Sequence, residues 1–200
     1  MTFYYIKPKK FTCVKDFLSH YEFNHINHVK KIYVPSGYDY GDQPWSYYTF
    51  PLEKALNNYH IENKHFIQLL LEAGADPNLQ PNKQRGNILH DLMIGGNWNK
   101  DTIDIIKLLI KHNIDVNNNH CYSKSTPLHK ASIYWTKKYT EEIIALLIQH
   151  GANINAINIA GETPHDVAIN TLTWPSRKHK TIPKKILTML KPKQLMCIRE

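Results

Sequence analysis

The chain has 200 residues, of which 42% are hydrophobic, and its formal net charge at pH 7 is +8. This length suits one domain or one array of repeats, and no apolar run reaches the roughly 18 residues that a membrane-spanning helix needs. Three scattered cysteines, Cys13, Cys121 and Cys197, form neither a disulfide framework nor a zinc-ligand spacing. We therefore expect a protein of the cytoplasm, without a transmembrane segment.

Residues 1–44 contain no repeated phrase. Val14, Phe17, Leu18 and Tyr21 are spaced as on one face of a short helix. We expect this segment to be an N-terminal cap or a diverged repeat.

Two phrases then recur in alternation along the rest of the chain. The first phrase is clearest at Thr126-Pro127-Leu128-His129-Lys130-Ala131, with weaker copies at Phe50-Pro51-Leu52, Asn87-Ile88-Leu89-His90 and Thr163-Pro164-His165-Asp166. The second phrase occurs as Gly74-Ala75-Asp76-Pro77-Asn78, Asn113-Ile114-Asp115-Val116-Asn117 and Gly151-Ala152-Asn153-Ile154-Asn155. Such periodicity is typical of a repeat protein. We assign repeat 1 to residues 45–81, repeat 2 to 82–120, repeat 3 to 121–157 and repeat 4 to 158–191, followed by a basic tail, 192–200.

Each repeat predicts a pair of helices. In repeat 3, Thr126 is suited to cap the first helix and Pro127 to begin it. We expect Thr140 to cap the second helix and Gly151 to end it, because that position usually needs a positive φ. Asn113 takes the place of this glycine in repeat 2, and asparagine is the next most tolerant residue there.

These residues resemble the ankyrin repeat, whose hallmark is Thr-Pro-Leu-His-x-Ala followed by a second helix and a Gly-Ala-Asp turn. The resemblance implies an all-α solenoid of stacked antiparallel helix pairs with projecting β-turn fingers. It also implies that His90 and His129 join adjacent turns through hydrogen bonds. The anchors Leu52, Leu89 and Leu128 lie 37 and 39 residues apart, against about 33 for an ankyrin period, so the repeats contain inserts.

The inserts between the two helices of repeats 2, 3 and 4 each contain one tryptophan: Trp98, Trp135 and Trp174. One interpretation is that each ring packs under its own loop. The other is an exposed ladder of three rings that binds a partner.

The chain has no metal-ligand spacing, nucleophile motif or phosphate-binding loop, so we expect a non-catalytic protein without a cofactor or metal. The resemblance implies a protein–protein interaction module that binds through its concave face and finger tips. Carried over repeat by repeat, the contact positions are Ser46, Tyr47 and Thr49; Lys83, Gln84 and Arg85; Tyr122, Ser123, Ser125, Ile133 and Tyr134; and Ile159, Ala160 and Glu162. We expect a monomer, and the positive charge favours a partner protein with an acidic surface.

Two other functions stay open. Basic residues are frequent at both ends, at Lys7, Lys9 and Lys10 and from Arg177 onward, either as solvated termini or as a patch that binds nucleic acid or an anionic membrane. An enzyme with Cys13 in the N-terminal segment is the third hypothesis, although no local motif supports it. The richness in Asn, Ile, Lys and Tyr resembles ankyrin proteins of intracellular bacteria and large DNA viruses, which favours an effector that binds a host protein.

Overall fold

The structure is a computed structural model that describes residues 13–34, 45–57, 64–80, 86–120, 122–177 and 179–192. The chain divides into two compact units, residues 1–82 and 83–200. Within the described part of the chain, no helix combines the length and the apolar character needed to cross a membrane.

The first unit consists of short helices and one β-hairpin. In chain order its elements are α1 (Val14–His20), β1 (Lys30–Val34), β2 (Trp45–Thr49), α2 (Pro51–Asn57) and α3 (Lys64–Glu72). The strands are antiparallel, with Ile32 opposite Tyr47. Helix α3 packs against α2 and α1. The core of this unit includes one side chain from each of the three helices, Phe17, Leu52 and Leu70, each at most 1% exposed.

The turn after α1 has the geometry of the repeat turns, although its sequence lacks their phrase. Glu22 has a φ of 56°, and the Phe23 amide donates to the Leu18 carbonyl at 2.7 Å. The Asn27 side chain then donates to Gly74 O at 3.0 Å and accepts from Asp76 N at 2.7 Å. Asn117 of the second unit makes the same pair of bonds to Gly151 O and Asn153 N, at 2.9 and 2.7 Å.

The second unit stacks three helix pairs. Its helices are α4 (Ile88–Met93), α5 (Lys100–Lys111), α6 (Pro127–Ile133), α7 (Thr140–Gln149), α8 (Pro164–Asn170) and α9 (Lys184–Leu190). The first helices of successive repeats pack side by side, α4 on α6 and α6 on α8, while α7 packs against α6 and α9. The side chains of Leu89, Ile106, Leu128, Ile143 and Leu190 are fully buried between them. The fold is therefore all-α, as predicted, with helix–turn–helix units arranged as a solenoid.

The predicted cap of α6 and the predicted turn residue after α5 are both present. Thr126 caps α6 by accepting from the His129 amide at 3.5 Å, and the Thr126 amide donates to His129 Nδ1 at 3.1 Å. The other ring nitrogen, Nε2, of His90 and of His129 forms a hydrogen bond to the next repeat. His90 Nε2 donates to Ser125 O at 2.9 Å and His129 Nε2 donates to Glu162 O at 3.0 Å. Asn113, at φ 61°, adopts the left-handed conformation expected of it.

The predicted cap of α7 is wrong. Tyr139 precedes this helix with a φ of 71°. The Thr140 hydroxyl donates to the carbonyls of Tyr134 and Lys137, at 2.6 and 3.0 Å, instead of accepting from a helix amide. The hydroxyl thus adds to the backbone bonds that those two carbonyls already accept from the Lys137 and Thr140 amides.

Candidate functional site

A groove with a volume of about 240 Å³ lies between α6 and α8 in the second unit. We call it the α6–α8 groove. It is lined by two residues of α6, two of α8, three of the fingers and two of the turn after α8: His129, Ile133, Val167, Asn170, Ser125, Asn158, Glu162, Thr171 and Trp174. Repeats 3 and 4 thus build it together.

Among the residues that the structure describes, Glu162 is the one charged side chain that lines the groove. His129, which is 1% exposed, has its pKa lowered mainly by burial, and the bond to the Glu162 carbonyl opposes this only in part. The imidazole is therefore neutral at pH 7, with Nδ1 as acceptor and Nε2 as donor. The groove presents a carboxylate, neutral polar groups and apolar surface.

The Glu162 carboxylate is held in place by neighbours of its own repeat. Its two oxygens accept from the side-chain amides of Asn158, at 2.8 Å, and Asn170, at 2.5 Å. Its main chain is also fixed, because its amide donates to Asn158 Oδ1 at 3.0 Å and its carbonyl accepts from His129. The carboxylate is thus oriented before any ligand arrives.

Trp174 is the largest apolar side chain that lines the groove and is 44% exposed. The guanidinium carbon of Arg177 lies 4.6 Å from the centroid of its ring and 5.4 Å from that of Trp135. Arg177 is 7% exposed, its pKa is lowered by burial, and its Nη1 has no hydrogen-bond partner among the residues that the structure describes. Arg177 therefore packs between the two rings, and its inclusion in an exposed basic patch is wrong.

The exposed ladder of three tryptophans is also wrong. Trp98 and Trp135 are only 7% and 4% exposed, and both indole groups are hydrogen-bonded. Trp98 Nε1 donates to Leu92 O at 2.9 Å and Trp135 Nε1 to Thr171 Oγ1 at 2.7 Å. These two rings fill the space beneath the inserts, so Trp174 alone of the three presents an exposed face.

Tyr134 is a packing residue in this structure. Its hydroxyl accepts from the Gly95 amide at 3.0 Å, and its ring contacts the Trp98 ring edge to face, with centroids 5.7 Å apart. It therefore joins the inserts of repeats 2 and 3 and does not line the groove.

The finger residues are exposed next to the groove. Tyr122 and Ile159 are 61% and 70% exposed. The Ile159 amide donates to Ser123 O at 2.8 Å, which joins the fingers of repeats 3 and 4. Among the other expected contact residues, Ser123 is half-buried, while Ser125 and Ile133 line the groove.

Several expected contact residues lie outside the described part of the chain. Tyr47 belongs to β2, but its side chain is not among those described, and Lys83, Gln84 and Arg85 fall outside the described residues. In the first unit, a pocket of about 200 Å³ is lined by His20, Tyr21, Glu22, Phe23, Lys30, Ile32, Thr49 and Lys54. The exposed Cys13, named in the enzyme hypothesis, is not part of that lining.

Comparison with known proteins agrees with these helix pairs and turns. A family model described as ankyrin repeats, in three copies, matches residues 52–158. The chain belongs to the ankyrin repeat family. Ankyrin repeats indicate a protein–protein interaction module, and such domains are typically non-catalytic.

Part of the chain is similar in sequence to two curated proteins. Palmitoyltransferase ZDHHC17 of Danio rerio is 39% identical over 67 residues, which are 34% of this chain and 10% of that protein. Palmitoyltransferase ZDHHC17 of Homo sapiens is 37% identical over 67 residues, with the same two shares. The matched stretch is thus about a tenth of the length of these relatives.

Sequence reasoning missed the residues that hold Glu162 and Trp174 in place. Asn158 and Asn170 orient Glu162, and Arg177 supports Trp174. The contact between Arg177 and Trp174 could have been predicted, because residues three positions apart come together in a single helical turn. The asparagines had no such signal in a chain rich in asparagine.

Proposed function

We propose that the α6–α8 groove and the fingers beside it bind an extended segment of a partner protein. The observation that carries the proposal is the half-exposed Trp174 in a groove where Glu162, the one charged side chain among the described lining residues, is already oriented. The exposed side chains of Tyr122 and Ile159 extend this surface along the fingers.

Two physical arguments support binding at this place. Tryptophan and tyrosine dominate the binding energy of many interfaces, because large rigid rings bury much area at a small entropic cost. Groups that are fixed before binding also avoid the cost of ordering them in the complex. Trp174 is held by Arg177, and Glu162 is held by two asparagines.

A crosslinked pull-down from a eukaryotic cell lysate tests the proposal. We expect a protein enriched by the wild-type chain to be lost with Trp174→Ala and with Ile133→Asp, because both changes alter the lining of the groove. Ile94→Ala is the matched control, since Ile94 is 67% exposed but lies outside the groove. Thermal unfolding verifies that each variant is folded.

Either of two results contradicts this function. If the partner is captured equally by all four proteins, the interaction does not use the groove. If Ile94→Ala abolishes capture as completely as Trp174→Ala, the effect is not specific to it. The proposal includes a host protein as partner, supported by the richness in Asn, Ile, Lys and Tyr. It also includes a cytoplasmic location, supported by the three scattered cysteines, and a monomeric state.

A second candidate function is the electrostatic binding of nucleic acid or an anionic membrane, and the distribution of charge along the chain supports it. The first unit has eight basic and eight acidic residues, whereas residues 83–200 have seventeen basic and nine acidic ones. Lys180 and Lys184 are exposed, while the exposed Lys185 forms an ion pair with Glu141. Lys180 and Lys184 are therefore suited to attract a polyanion such as nucleic acid or an anionic membrane.

A further inference from the structure

We propose that the partner segment in the α6–α8 groove is basic and apolar: it presents a lysine or arginine side chain to Glu162 and an apolar side chain to Trp174. This inference rests on the proposed function and specifies the chemistry of the occupant. It differs from the expectation based on net charge, which favours an acidic partner surface.

The first step is the local sign of the charge. The chain as a whole carries +8, but the groove lining contains a carboxylate and no lysine or arginine. Among the described residues, no cation forms an ion pair with Glu162; its hydrogen-bond donors are the neutral amides of Asn158 and Asn170. The negative charge therefore stays uncompensated within the groove.

The second step is the remaining hydrogen-bonding capacity of the carboxylate. Its two oxygens have about four acceptor sites, and the two asparagines use two of them. An ammonium or guanidinium group fits the remaining sites, and hydrogen bonds between opposite charges are about twice as strong as neutral ones. A carboxylate from the partner would instead meet a like charge beside apolar walls, which disfavours it.

The third step concerns the neighbouring surface. Ile133, Val167 and Trp174 give the groove its apolar part, and the indole ring keeps 44% of its surface exposed. An occupant that covered Glu162 alone would leave the Trp174 ring exposed to solvent and would gain nothing from burying it. A segment with a basic and an apolar side chain close together satisfies both parts of the groove.

Selection from a library of random twelve-residue peptides displayed on phage tests the proposal without presupposing a sequence. The full-length wild-type chain is the target, and peptides that also bind Trp174→Ala are discarded. We expect the remaining peptides to share a lysine or arginine next to an apolar residue. We expect Glu162→Gln to weaken the binding of the best synthetic peptide about tenfold or more, as for the loss of one charge-assisted hydrogen bond.

Glutamine retains the size of Glu162 but only one of its two acceptor oxygens, so Glu162→Gln removes the charge together with the hydrogen bond from one of the two asparagines. Glu142→Gln is the matched control, because Glu142 is exposed on α7 and does not line the groove. Urea unfolding shows whether each variant is folded. Charge reversal adds an independent test: Glu162→Lys is expected to bind a peptide in which the basic residue is replaced by glutamate.

The outcomes separate this inference from the function on which it rests. Peptides that depend on Trp174 but lack a basic residue, or that bind Glu162→Gln as tightly as wild type, would overturn the basic occupant and leave the groove as a binding site. If no enriched peptide depends on Trp174, the groove itself is not the site, and both proposals fail.

Discussion

At the scale of single residues, the two buried histidines of the repeat phrase make the fold sensitive to acid. Burial is the main cause that lowers the pKa of His90 and of His129. The unfolded chain, with histidine pKa values near 6.5, therefore binds more protons than the folded chain as the pH drops below that value. We expect the free energy of unfolding to fall between pH 7.5 and pH 5, and urea titrations across this range measure it.

The geometry explains the direction of this effect. His129 Nδ1 accepts from the Thr126 amide while Nε2 donates to Glu162 O, so a second proton on the ring removes the acceptor of the capping box. The control is His129→Gln, which should be less stable at pH 7.5 but should lose less stability on acidification. A pH profile parallel to that of the wild type would show that His129 does not contribute.

At the scale of the helix pairs, Gly96 tests how tightly the inserts of repeats 2 and 3 pack. A Cβ atom at Gly96, where φ is 62°, would lie 2.7 Å from the Tyr134 ring. Gly151 also has a positive φ, 87°, but a Cβ there meets nothing within 4 Å. We expect Gly151→Ala to cost about 1 kcal/mol from backbone strain alone, and Gly96→Ala to cost about 2–4 kcal/mol because overlap adds to the strain.

Chemical denaturation of the two variants measures this difference directly. A double variant, Gly96→Ala with Tyr134→Ala, separates the two causes, because removal of the ring should restore the part of the loss due to overlap. Equal costs for Gly96→Ala and Gly151→Ala would show that Tyr134 does not pack closely against repeat 2.

The elements also show how much the sequence could predict. The cap at Thr126 and the turn at Asn113 were predictable, because each depends on residues within one helical turn. The role of Thr140 was not, since its hydroxyl binds carbonyls of an insert whose path depends on tertiary packing. The burial of Trp135 was one of the two interpretations drawn from the sequence, but its hydrogen-bond partner, Thr171, lies 36 residues away and was not predicted. The groove residues Ser125 and Ile133 were found through the family resemblance, and Arg177 was misassigned because charge alone suggested exposure.

At the scale of the whole molecule, the distribution of charge separates two modes of binding. Residues 177–193 contain seven basic and no acidic residues, while the α6–α8 groove contains a carboxylate. An anionic ligand and a basic–apolar peptide would therefore be attracted to different parts of the second unit. Attraction of a polyanion rests on the release of counterions and depends steeply on salt.

We expect a 20-base-pair DNA duplex, used as a generic polyanion, to bind weakly at 50 mM salt and to lose most of its affinity at 200 mM. Each phosphate contact contributes roughly 0.9 to the slope of log affinity against log salt, so Lys180→Gln combined with Lys184→Gln should reduce that slope by about 2. Fluorescence anisotropy measures both quantities. Ile94→Ala is the control and should leave DNA binding unchanged, because Ile94 is exposed, uncharged and part of repeat 2. If the double lysine variant keeps the wild-type slope, the polyanion binds elsewhere, and the exposed lysines near α9 are solvated residues that do not form a binding site.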